Sequence, residues 1–334
     1  MSHKPFLVDD VSSSVARPTT ETPPVLLWPR TVWTVLGIAF LALEIVVMAR
    51  WIADDGYRLE PTTAHNGSLF PVLSSLGVTA ICTVIFVVFT TVIVRDAVRQ
   101  RCVTPEFVMT IGIGTGLWME QLSGFFKPVF VNNANGPWVI SSFAPYLPGW
   151  QGNAPHEEPY QPTNVLIWLS APAVTAFCVY LLSRIRRRYP NLSGIRFVAV
   201  VLAFGFVSAE LQDPFFAYFG FTRWDTGIEG FTLFPGTWHQ FPLHEAMGFG
   251  FILMSSLIGF HYWLRGSGRA FLMPGAGPGP RWLRAAVPVV AAIGVVCTII
   301  ALYVTWLVAL SLVSTVSPTE LPAFWSEVSF PSNP

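Results

Sequence analysis

Residues 205–250 read GFVSAELQDPFFAYFGFTRWDTGIEGFTLFPGTWHQFPLHEAMGFG. An apolar, helix-like run carries Glu210 and Asp213, meets Pro214, and leaves through a loop rich in Trp, Phe and Gly. Apolar sequence resumes at once with His244 and Glu245. If both flanks cross a membrane, four ionisable groups lie in or at the edge of it. Such a group costs about 2.5–3.5 kcal/mol at the centre of an inserted helix, so by default it reads as functional.

Composition supports the membrane reading. The chain has 334 residues, 52% of them hydrophobic and 11% charged, with a mean hydropathy of +0.54. Soluble domains carry about 25% charged residues. A net charge of zero leaves no broad basic face for nucleic acid. Cys82, Cys102, Cys178 and Cys297 are scattered without metal or redox spacing and read as small core residues. Residues 1–30 are polar and rich in Pro and Thr, with no signal-peptide core, so a disordered cytoplasmic tail is expected.

Seven stretches have the length and apolarity of spans across about 30 Å of hydrocarbon. They are Thr31–Ala53, Pro71–Val94, Pro105–Phe126, Thr163–Ser183, Ile195–Phe219, Pro242–Leu264 and Ala285–Leu312. Arg and Lys follow them in alternation. Lys4, Arg17 and Arg30 precede the first, Arg95, Arg99 and Arg101 follow the second, Arg184 and Arg186–Arg188 the fourth, and Arg265, Arg269, Arg281 and Arg284 the sixth. The other loops hold Arg58, Lys127 and Arg223. The positive-inside rule then puts the N-terminus inside and the C-terminus outside. The expected fold is an all-α polytopic membrane protein. Its membrane domain covers residues 31–312, and residues 313–334 form an extracytoplasmic tail. Two long loops, 127–162 and 220–241, fall on the outer side, where loops of that length serve as lids or binding loops.

At 1.5 Å per residue, Glu120 and Glu210 lie about 22 Å, Asp213 about 27 Å and Glu44 about 20 Å from the inner ends of their helices. His244 and Glu245 open the sixth helix from outside, so these acids gather in the outer half while the inner halves are nearly acid-free. Gly112, Gly116 and Glu120 share one helical stripe, and so do Gly205, Ala209 and Asp213. Small residues at that spacing let helices approach closely, which turns the acids toward the bundle interior. Pro214 cannot donate to the Glu210 carbonyl four residues back, so a freed carbonyl and a kink are expected beside the two carboxylates.

A carboxyl out of water with no cation beside it suits a general acid, and an ionised neighbour suits a general base. His239, His244 and Glu245 look at first like a metal set. Their spacing crosses a loop-to-helix junction containing Pro242, however, so proton handling or substrate hydrogen bonding is the expected role, with no metal. His156 with Glu157 and Glu158 is a looser grouping still. No Gly-rich phosphate loop, nucleophile elbow or haem signature occurs, and no cofactor is expected.

This constellation resembles the AveC-like spirocyclases, membrane proteins named for the avermectin spiroketal cyclase. The likeness rests on Trp118-Met119-Glu120-Gln121, Phe126-Lys127-Pro128, Asn132-Asn133, Pro148-Gly149-Trp150 and Glu158-Pro159. It continues through Glu210-Leu211-Gln212-Asp213-Pro214 and the run from Trp238 through His239 and Pro242 to His244 and Glu245. Most of the membrane domain is covered and neither tail is. The resemblance implies closure of a dihydroxy-ketone polyketide of macrolide type to a spiroketal, in a bacterial plasma membrane. Glu120, Glu210, Asp213, His244 and Glu245 are then the catalytic candidates, with Asp213 or Glu120 as acid, Glu210 or Glu245 as base, and His244 adjusting them. Trp118, Gln121, Asn132, Asn133, Trp150, Trp238 and His239 are the candidates for substrate binding, and the Trp faces suit an oxocarbenium ion. The expected partners are an amphipathic polyketide or other lipophilic small molecule and the membrane lipids. A membrane terpene cyclase or isomerase, or a lipid-binding or transport protein without chemistry, are the alternative readings.

Overall fold

The computed structural model describes residues 30–58, 70–124, 126–132, 139–140, 143–150, 159–160, 162–273, 280–319 and 321–322. Apart from Arg30, the expected tail over residues 1–30 lies outside the described residues, as do Asn133, His156, Glu157 and Glu158. The protein is all-α in its body. Its helices are α1 (Arg30–Ala53), α2 (Phe70–Gln100), α3 (Pro105–Gly116), α4 (Pro162–Arg188), α5 (Gly194–Tyr218), α6 (Leu243–Arg265) and α7 (Arg281–Val313). Six of them, all but α3, are long and apolar enough to cross a membrane. Helices α2 and α4 run on past the expected Val94 and Ser183. Hydropathy stops at the first Arg, but Arg and Gln are good helix formers and carry the helix into the polar zone.

The third stretch differs in kind from the expected single helix. Thr104 caps α3 by accepting from Phe107 N at 3.2 Å, and Pro105 sits in the first turn, where its missing N–H costs nothing. After Gly116 the chain tightens into a 3-10 helix, Leu117–Gly124. At 3.0 rather than 3.6 residues per turn, Glu120 rotates by about 80° off the Gly112–Gly116 stripe. The two glycines face Val296 and Ile300 on α7. Glu120 instead meets α4, by accepting a hydrogen bond from Trp168. The expected stripe on α5 holds. A Cβ on Gly205 would collide with Ser255 Oγ and the Gly250 carbonyl of α6, and Ala209 is fully buried one turn on. Pro214 lies inside α5, which continues to Tyr218.

Helix α6 contains a π-helical stretch, Gly248–Met254. There the backbone bond reaches five residues back, and Ser255 Oγ adds a second donor to the Gly250 carbonyl at 2.7 Å. In an α-helix every fourth residue overshoots a turn by about 40°. The wider π turn undershoots, so Glu245, Phe249, Leu253 and Leu257 stay in one row on the same wall.

The long loops join each other. Strand β1 (Phe130–Asn132) pairs antiparallel with β4 (Thr222–Trp224), while β2 (Val139–Ile140) pairs with β3 (Pro159–Tyr160) and β5 (Thr232–Leu233) with β6 (Phe241–Pro242). Phe130 opposes Trp224 with ring centroids 5.4 Å apart, and Thr222 Oγ1 donates to Asn132 Oδ1 at 3.1 Å. The chain after α7 docks on the same layer, with Thr315 N and Val316 N donating to the Gly227 carbonyl and Thr319 N to that of Gly236. At the other end of the bundle the start of α1 holds the segment after α6, through Arg30 and the carbonyls of Phe271 and Met273.

Candidate active site

A cavity of about 80 Å³ lies where the 3-10 end of α3, helices α4 to α7 and the β1–β4 pair converge. Every one of these elements contributes polar groups to its wall, with Asn164, Gln212 and Thr222 beside the main ones. The main ones are Glu120 from the 3-10 turn, Trp168 from α4, Asp213 from α5, Glu245 from α6, Tyr303 from α7, and Asn132 and Trp224 from the paired strands. Phe130, Phe216, Phe221 and Phe249 fill the space between them.

The three acids have different surroundings. Trp168 Nε1 donates to Glu120 Oε2 at 2.5 Å. The Tyr303 hydroxyl donates to Glu245 Oε1 at 2.8 Å, with Glu245 1% and Tyr303 2% exposed. Asp213 and Glu245 lie within hydrogen-bonding reach of each other. A contact between two carboxyls is a hydrogen bond only when one of them carries a proton. No ion pair among the described residues involves any of the three, so no cation neutralises the group. Four buried atoms on this wall meet no complementary donor or acceptor outside the Asp213–Glu245 pair itself. Two are carboxyl oxygens, Asp213 Oδ2 and Glu245 Oε2, and two are N–H donors, Asn132 Nδ2 and Trp224 Nε1. Buried polar atoms are ordinarily satisfied. Two acceptors and two donors left over on one wall mark a place for a ligand with oxygen atoms of both kinds.

The sequence candidates divide accordingly. Glu120, Asp213, Glu245 and Asn132 come together at the cavity. Glu210 adjoins Asp213 on α5 but is absent from the cavity wall. His244 is buried behind it, with its carbonyl accepting from Trp306 Nε1 at 3.1 Å and its Nδ1 unpartnered. Trp118 packs edge-on against Phe143 in the core, and Gln121 is buried in the same turn. Trp150 lies half-buried in the loop after β2. The Trp238 and His239 rings lie tilted with centroids 3.5 Å apart, and His239 in turn approaches Tyr218 at the loop end of α5. Burial there holds the His239 imidazole below its ordinary range. Among the described residues no three His, Cys, Asp or Glu side chains are grouped closely enough to hold a metal ion.

Sequence reasoning missed Trp168, Trp224 and Tyr303. For two of them the available signal was the polar tip. Trp168 and Tyr303 lie deep in apolar helices, where such a ring needs a hydrogen-bond partner and a nearby carboxyl is the natural one, whereas Trp224 on β4 carries no such signal. A second polar group also went unread. Glu106, at the start of α3, accepts from Arg265 Nε at 2.6 Å and contacts His261 Nε2 at 3.3 Å, while His261 Nδ1 meets Thr175 Oγ1 at 3.2 Å. The half of the bundle away from the loops is thus not free of acids, and Glu106 there is paired with Arg265 and His261.

A family model described as Spirocyclase AveC-like matches residues 98–330. The chain belongs to the AveC-like spirocyclase family. No curated protein and no solved structure matches it. The spirocyclase match begins at the end of α2 and takes in every residue on the cavity wall, from Glu120 to Tyr303. The spirocyclase family role therefore attaches to the part of the chain that carries the buried acids.

Proposed function

We propose that this spirocyclase closes a membrane-borne dihydroxy-ketone to a spiroketal with loss of one water, by carboxyl acid–base catalysis. The observation that carries the reading is a set of four atoms on one cavity wall, Asp213 Oδ2, Glu245 Oε2, Asn132 Nδ2 and Trp224 Nε1, that no group outside the Asp213–Glu245 pair satisfies. A dihydroxy-ketone offers hydroxyl protons to the two carboxyl oxygens and a carbonyl oxygen to the two N–H groups. An isoprenoid hydrocarbon offers neither, which disfavours a terpene cyclase. Beyond the cavity, Glu106 is paired with Arg265 and His261 and does not offer the free coordinating group that a transport path would use there.

The steps balance without redox change. One hydroxyl oxygen bonds to the ketone carbon, its proton passing to a carboxylate while the carbonyl oxygen takes a proton from the acid of the pair, and a hemiketal results. The hemiketal hydroxyl then leaves as water with a proton from the same pair. The second hydroxyl attacks the oxocarbenium ion and returns its proton to a carboxylate. Two carboxyls flanking one carbon serve glycosidases in the same way. Asp213 and Glu245 form the exchanging pair, Glu120 is the third carboxyl, and the faces of Trp168, Trp224 and Phe216 line the cation. The test uses purified protein and a synthetic keto-diol. A product lighter by one water with one configuration at the spiro carbon supports the reading. A product mixture identical to that of acid alone overturns it.

A further inference from the structure

We infer that the substrate reaches the cavity sideways from the bilayer, with its hydrocarbon part lying in a groove between α2, α4 and α5. This rests on the proposed reaction for the identity of the reacting end and on separate observations for the groove. The first is size. A cavity of about 80 Å³ holds a reacting group and little else, whereas pockets for drug-sized ligands run to about 300–1,000 Å³. The rest of a substrate must therefore extend through the wall.

The second observation is where the wall is shared. A groove of about 540 Å³ adjoins the cavity, and Ile167, Gln212 and Phe216 line both. It runs along α4 from Ile167 to Leu181, a length of about 21 Å at helical rise. Its rim is apolar and outward-facing, with Ile81 58%, Phe177 61% and Leu211 71% exposed, on helices apolar enough to cross a membrane. Its two hydroxyls and the Gln212 side-chain N–H donate within their own helices. Ser170 Oγ donates to the Ile167 carbonyl, Ser208 Oγ to that of Gly205, and Gln212 Nε2 to that of Ser208 at 2.8 Å. The groove thus presents a largely apolar surface, while the cavity behind it presents the acid pair and the free N–H donors of Asn132 and Trp224. One molecule matches both, with an aliphatic chain in the groove and an oxygenated end in the cavity. Gln212 and Phe216 on α5 and Ile167 on α4 form the partition that the molecule passes.

The third observation concerns the alternative route. At the loop end the cavity wall is formed by Phe130, Asn132, Thr222 and Trp224, which the β1–β4 ladder joins. Passage there requires breaking backbone hydrogen bonds. Passage between α4 and α5 requires only side-chain rotation.

The experiment uses the full chain in lipid nanodiscs and a long-chain keto-diol carrying a diazirine at the end of its chain. Illumination should label peptides around Phe177 and Leu211, and Leu211→Trp should reduce that label at least fivefold. Label spread evenly over all lipid-facing helices and unchanged in Leu211→Trp overturns the inference. Neither result depends on turnover, so failure of the proposed reaction is read separately, from a wild-type protein that cyclises no keto-diol. Where turnover is seen, the ratio of kcat/KM for a long-chain over a short keto-diol should fall at least tenfold in Val207→Trp and Leu211→Trp. Ile45→Trp, on the lipid face of α1, serves as control and should leave the ratio in place. An equal fall in all three variants overturns the groove.

Discussion

Trp168 Nε1 and Glu120 Oε2 are 2.5 Å apart, and their bond ties α4 to the 3-10 end of α3. Trp168→Phe keeps most of the ring and removes the donor. A buried carboxyl oxygen left without a partner costs about 1–3 kcal/mol. The variant should melt several degrees lower than the parent and lose about tenfold in kcat. Thermal melting in detergent, alongside initial rates, checks both.

Amide substitutions separate the acids by position. Asp213→Asn and Glu245→Gln keep shape and remove proton exchange, and each should lower kcat by about 10²–10⁴-fold. Glu120→Gln should fall in the same range. Glu210→Gln should cost less than about tenfold, because Glu210 lies off the cavity wall. Rates on one keto-diol across the four variants give the ranking, and a Glu210→Gln loss as large as that of Asp213→Asn would redraw the site.

Tyr303→Phe removes the 2.8 Å bond to Glu245 Oε1. The ring still fills its place, so the fold should hold while kcat falls about tenfold, the equivalent of roughly 1.4 kcal/mol. Unchanged turnover would show that Glu245 needs no orienting donor.

Gly205→Ala tests the closest helix contact near the site. Its Cβ would collide with the Gly250 carbonyl and Ser255 of α6. Overpacking of this kind costs about 1–3 kcal/mol. A lower melting temperature with the membrane insertion level unchanged is the expected result.

Topology is checked by reporters. One fused after Pro334 should read as extracytoplasmic and one inserted near Pro278 as cytoplasmic, as the Arg alternation requires. Both on one side would remove the seven-helix alternation.

Six of the seven expected spans were legible as long apolar helices because hydropathy is a local property of the chain. Asp213 could be placed from its stripe with Gly205 and Ala209, since α5 stays regular to that point. Glu120 could not, because LWMEQLSG contains no Pro or other break to announce the change to 3-10 geometry at Leu117. The same holds for the π turn of α6, where Gly250 permits a close approach to Phe206 on α5 and Gly248 one to Trp306 on α7, which only the packed partners make visible. Trp168, Trp224 and Tyr303 went unread for another reason. In an aromatic-rich chain their rings look like core or interfacial belt, and only the carboxyl each side chain reaches in space, or the cavity it borders, sets them apart.

The docking of residues 315–319 on the loop layer bears on how far each turnover commits. In the proposed chemistry, water attacking the oxocarbenium ion does no damage. It regenerates the hemiketal and returns the reaction to its previous step. Each visit by bulk water is then a futile reversal, and the fraction of cycles that complete depends on how seldom the loop end admits one. Helix α7 carries Tyr303 at the cavity and, at its end, the strap over Gly227 and Gly236. Cutting the chain after Val313 should leave every acid in position and still lower the yield of spiroketal per ionisation, seen as faster exchange of labelled oxygen from water into unreacted ketone.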